Sequence, residues 1–109
     1  MHEILHVTPG TLWEHDRTEG LYRGETLVTE GFIHCCSSGQ LAGVVSRYFK
    51  GQTGLVVLQI DPSRLKPPLE WERPPGTDEV FPHVYGPINL DAVVKVVPLE
   101  AFLAGEKGD

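Results

Sequence analysis

Cysteine is scarce: the chain has two, Cys35 and Cys36, and they are adjacent. Neighbouring thiols close no long loop, so the disulfide framework of a small secreted fold is excluded and both are expected to stay reduced. Basic residues are also few. Nine Lys and Arg face fifteen Asp and Glu, a formal net charge of -6, so the phosphate-neutralising surface that nucleic-acid binding needs is missing in bulk and nucleic acid is a disfavoured partner. No apolar run approaches the roughly 20 residues of a membrane-spanning helix. The N-terminal MHEILHVTPG carries no basic segment followed by an apolar one, so no membrane association and a cytoplasmic location are expected. Nor do the glycines, among them Gly31, Gly39, Gly43, Gly51 and Gly54, form a GxGxxG or Walker pattern, which argues against a Rossmann nucleotide site.

What remains is ordinary globular material: 109 residues, 40% apolar and 22% charged, enough for one core. A single domain is expected over residues 3–99, with 100–109 a C-terminal extension whose glycine-rich end frays. Glu3 to Val7 reads as a strand. Thr8-Pro9 gives an N-cap and a first-turn proline for a helix to about Glu19, ended by Gly20, with Glu14, Asp16, Arg17 and Glu19 on a solvated face. Gly31 to Cys35 is a short strand, and Ser37 with Gln40 is a capping box for a helix over about Ser38 to Lys50. Leu55 to Asp61 reads as a buried central strand. The prolines at 67, 68, 74 and 75 make Leu65 to Thr77 a covering loop with at most a short extended piece at Glu70-Trp71-Glu72. Val80 to Tyr85 and Ala92 to Val97 are further strands. Strand, helix, strand, helix and then mostly strands predicts an α+β domain with two main helices and small β-sheets.

Three of the five histidines fall in or at the ends of strands, beside hydroxyl, small or aromatic residues: Leu5-His6-Val7-Thr8, Ile33-His34-Cys35 and Pro82-His83-Val84-Tyr85. Alternation puts His6 with Thr8, and His83 with Tyr85, on common faces. Each histidine alone is readily a satisfied strand residue. Together they point to one concave pocket, which Thr8 and Tyr85 should also line, with His2 and His15 outside it. A neutral imidazole donates one hydrogen bond and accepts one, which suits sugar hydroxyls. His34 and Cys35 point to opposite faces and make a poor nucleophile and base pair. No metal is expected, because the histidines come from three distant segments and no short zinc-ligand spacing occurs. Glu72 and Glu79 are the acidic candidates near aromatic residues, although carboxylates on a proline-rich loop are commonly just solvated. Arg47 and Lys50 lie about one turn apart and suit either a phosphate or an exposed helix face.

At these residues the sequence resembles a bacterial family labelled domain of unknown function 952. The resemblance rests on His6-Val7-Thr8 with Trp13, the run Leu27 to Cys35, Phe49 with Gly51-Gln52, Ile60-Asp61-Pro62 with Leu65, and Phe81-Pro82-His83-Val84-Tyr85-Gly86-Pro87-Ile88. That family is in turn distantly similar to the ADP-ribosyltransferase fold, a split pair of small sheets with NAD in the cleft. The resemblance implies that His6 and Thr8 match the His-x-Thr motif that holds NAD, with Tyr85 also on the cofactor, and that His34 and His83 occupy catalytic positions. It thus implies a domain binding a small nucleotide, NAD or an ADP-ribose-containing ligand, as an ADP-ribosyltransferase-like or NAD-cleaving enzyme. The glutamate of the mono-ADP-ribosylating toxins has no assigned counterpart, Glu79 being only a neighbour. A non-catalytic module for a small metabolite or a protein partner on the same fold is therefore the alternative.

Overall fold

The structure, a computed structural model, describes residues 3–108. Its organising element is β4 (Leu55–Ile60), whose apolar residues, interrupted only at Gln59, are buried on both faces. β4 lies between β1 (Ile4–Pro9) and β8 (Val93–Pro98) in an antiparallel sheet. One face of this sheet carries Ile4, Leu58 and Ile60 into a core shared with Trp13, Tyr22, Ile33 and Val84. The other carries Leu5, Val7, Leu55 and Val57 into a second core with Leu41, Cys36 and Leu99. Both arrangements follow from period-two alternation along strands with apolar residues on both faces.

A second antiparallel sheet has the order β3 (Ile33–His34), β6 (Phe81–Val84), β5 (Leu69–Glu72), and a short ribbon pairs β2 (Leu21–Tyr22) with β7 (Ile88–Asn89). The two larger sheets are joined where Leu5 and Cys36 exchange backbone hydrogen bonds of 2.7 and 2.8 Å. The segment expected as a covering loop thus contributes four paired residues to a sheet, its prolines bracketing the strand rather than interrupting it.

Four α-helices occur among the described residues, not two: α1 (Gly10–Thr18), α2 (Leu27–Glu30), α3 (Leu41–Tyr48) and α4 (Leu99–Gly108). Thr8 does not cap α1. The strand runs on through Pro9, which takes the N-cap position, and Thr8 is buried within β1. Asp16, expected on the solvated face, is also buried, because its carboxylate accepts the backbone N–H groups of Arg23 and Gly24 at 2.9 and 3.1 Å and so pins the turn after β2. The Ser37 and Gln40 capping box forms, and it opens a 3-10 turn that leads into α3. Residues 100–108, expected as an extension with a frayed end, continue as α4 and set Phe102 and Leu103 against the second core. No helix among the described residues is long and apolar enough to cross a membrane.

Candidate functional site

A cleft of about 580 Å³ opens beside β1, between α3 and the second sheet, and His6, Thr8, His34 and His83 all line it. Its floor is the free edge of β1. Leu5 spends both its backbone groups on Cys36, so the alternation of an antiparallel strand aims the N–H and C=O of Val7, two residues on, to the same side. That side is the cleft, which Val7 lines. Beyond the Leu5–Cys36 bridge no strand pairs with this edge among the described residues, and Val7 presents one donor and one acceptor there while only 7% exposed.

His6 is fixed by its partners. Nδ1 lies 2.5 Å from the His34 carbonyl oxygen, which only accepts, so Nδ1 carries the proton. Nε2 then accepts from the Tyr22 hydroxyl at 2.6 Å, and the Thr8 hydroxyl donates to Tyr22 in turn. The result is a one-way chain, Thr8 to Tyr22 to His6 to the His34 carbonyl. Burial pushes His6 down to about 4 and pushes the Tyr22 phenol up, which keeps both groups neutral.

The second sheet supplies the opposite wall. Register pairs His34 with His83 and His83 with Glu70, so Phe32, His34, His83, Tyr85, Glu70 and Glu72 share one face. Ile33, Cys35 and Val84 take the other, in the first core. Cys35 and His34 are therefore parted, and burial raises the Cys35 thiol further from its reactive thiolate. Phe32 stacks on His83 with centroids 4.2 Å apart, and His34 meets His83 edge-on at 5.3 Å. Glu72 Oε1 accepts from His83 Nδ1 at 2.7 Å and from the Tyr85 hydroxyl at 2.5 Å. The Tyr85 bond first and the His83 bond second hold this carboxyl below its ordinary value. The His83 side chain is 6% exposed. With Nδ1 committed to Glu72, Nε2 is its remaining nitrogen. His34 Nε2 lies 3.1 Å from Glu30, at the mouth.

The sequence thus brings four of its five candidate residues to one cleft. Tyr85 does not line it. It reaches the site through Glu72 and Phe32. His15 lies apart, on α1 beside Asp16, and His2 is outside the described residues. Glu79 is not in the cleft either, being drawn to Arg47 at 3.6 Å. Sequence reasoning missed Tyr22, the edge of Val7, and the bond between Glu72 and His83. Only Glu72 left a signal, two residues along the strand from the partner of His83. Among the described residues no three His, Cys, Asp or Glu side chains are grouped to hold a metal ion.

A family model described as Protein of unknown function (DUF952) matches residues 7–96. The crystal structure of protein CC0527 from Caulobacter crescentus is similar at 26% identity and a TM-score of 0.80, over 94% of this chain and 98% of that one. The solution structure of CC0527 agrees, at 28% identity and a TM-score of 0.78 over 91% and 85% of the two chains. Comparison with functionally curated proteins gives no match.

Proposed function

The chain belongs to the DUF952 family, and for this member we propose that the cleft binds the nicotinamide-ribose end of NAD on an ADP-ribosyltransferase-like fold and cleaves its N-glycosidic bond. The observation that carries this reading is the buried edge of β1. A carboxamide matches it, its NH2 donating to the Val7 carbonyl and its oxygen accepting from the Val7 N–H. Two small antiparallel sheets meeting at the cleft fit the split-sheet arrangement of that fold.

His83 and His34 flank the reacting end. As the ribose C1′–N bond breaks, the electron pair passes to the pyridine nitrogen and cancels its charge, while positive charge develops on the ribose. Glu25 and Glu30, which line the cleft, stabilise that charge. Water adds its oxygen to C1′, and His83 Nε2 accepts the proton, with Glu72 across Nδ1 stabilising the imidazolium. Nicotinamide, ADP-ribose and a proton result. His6 and Thr8 meet the ribose as parts of their bonded chain with Tyr22, whereas Tyr85 acts through Glu72.

Titration with NAD and a time course of nicotinamide release test this reading. Expected are saturable binding, turnover in the wild type, and a loss of on the order of a hundredfold or more in His83→Ala; no binding of NAD or of any simpler N-ribosyl nicotinamide at millimolar concentration would sink it. Binding without turnover is the second reading, a non-catalytic module. One observation favours it: the toxins' glutamate has no assigned counterpart, and Glu79, only a neighbour, is engaged with Arg47 outside the cleft. Nicotinamide release that is absent in the wild type, with binding intact, decides for it.

A further inference from the structure

The charge of the cleft narrows what it takes. Glu25 and Glu30 are its acidic lining residues, and among the described residues neither Lys nor Arg lines it. The cations next in sequence to lining residues, Arg23, Arg47, Lys50 and Arg73, are exposed. Arg47 is held by Glu79 and lies against the Tyr48 ring. Aromatic rings of Tyr48, Phe49 and Phe81 complete the lining. A pyridinium cation gains from both carboxylates and from ring faces. A diphosphate brings two negative charges to the same carboxylates with no counter-ion beside them. The carboxamide and pyridinium parts of NAD therefore fit the residues present, and its diphosphate does not.

We infer that the preferred occupant is a phosphate-free N-ribosyl pyridinium of the nicotinamide riboside type, whose bare 5′ end avoids the repulsion that NAD meets. This rests on the reading of the cleft as a nicotinamide-ribose site. The bond changes are those given above: C1′–N breaks with its pair going to the ring nitrogen, water oxygen bonds to C1′, and the released proton passes to His83, yielding nicotinamide and ribose.

Calorimetric titration of nicotinamide riboside, nicotinamide mononucleotide, NAD and ADP-ribose into the intact protein tests it. Expected is riboside binding at least about tenfold tighter than NAD at low salt, with ADP-ribose weakest. Added salt should weaken the riboside and strengthen NAD, because screening reduces attraction and repulsion alike. Glu30→Gln, at a half-exposed residue, should narrow the gap in the same way. NAD binding as tightly as the riboside, or a gap that neither salt nor Glu30→Gln changes, overturns the charge selection while leaving the nicotinamide-ribose site standing. Failure of all four ligands to bind at millimolar concentration removes that site, and this inference with it.

Discussion

At the scale of single residues, His6 is a base kept from its proton. Its burial holds it at about 4 against an ordinary 6.5, and a proton on Nε2 would confront the Tyr22 hydroxyl, forcing the whole chain from Thr8 to reverse. An unfolded chain protonates His6 below about pH 6.5, whereas the folded one waits until about 4. Across that window the unfolded state binds more protons, so stability is full above it, falls as pH falls through it, and loses nothing further to this residue below it. The loss is on the order of 3 kcal/mol. Urea midpoints followed from neutrality down to about pH 4 should drop in the wild type and drop less in His6→Gln; equal slopes would remove His6 as the cause. Asp16 is instead held in its charged form, and it too loses stability as pH falls. Burial alone would raise its carboxyl, but the Arg23 N–H, His15 and the Gly24 N–H more than offset this and leave it lowered. Asp16→Ala, which strands two backbone donors, should cost about 2 kcal/mol in denaturant unfolding at neutral pH.

At the scale of elements, the second sheet shows how much of the site could be read in advance. Val80 to Tyr85 is legible as a strand, and with it the common face of His83 and Tyr85. Glu72 was harder to place, since four prolines hide the pairing of β5, and β3 is too short for its own alternation to declare which way His34 points. Pro82 sits in the central strand of this sheet, where a missing N–H is normally excluded. It is tolerated because its carbonyl takes the Cys35 N–H at 3.0 Å just where β3 ends. The turn beyond β6 is less forgiving. Gly86 has φ +153, and a Cβ there would lie 2.8 Å from Cβ of Pro67, next to Pro68, whose carbonyl takes the Tyr85 N–H at 2.8 Å. Gly86→Ala should therefore lose about 1–3 kcal/mol and speed hydrogen exchange at the Tyr85 amide. An unchanged exchange rate would mean that the Pro67 side yields without disturbing the β5–β6 pairing.

At the scale of the whole molecule, one strand holds two cores together. The apolar run of β4 announces burial on both faces, but the sequence does not say what covers the second face. Part of the answer is α4, whose Leu99, Phe102 and Leu103 have helical spacing yet precede a glycine-rich, charged end that reads as fraying. Because Leu58 points into the first core and its neighbour Val57 into the second, neither core can open without stripping β4 from β1 or β8. A single cooperative transition is expected. Leu58→Ala in the first core and Leu41→Ala in the second each remove a fully buried side chain and should each cost about 3 kcal/mol. The distinguishing measurement is Trp13 fluorescence in a Trp71→Phe background, which reports the first core, set against far-ultraviolet circular dichroism, which reports both. If β4 couples the cores, Leu41→Ala lowers the Trp13 midpoint as much as the dichroism midpoint, although Leu41 and Trp13 lie in different cores. A Trp13 transition left in place while the dichroism curve splits in two would show that the faces of β4 unfold separately.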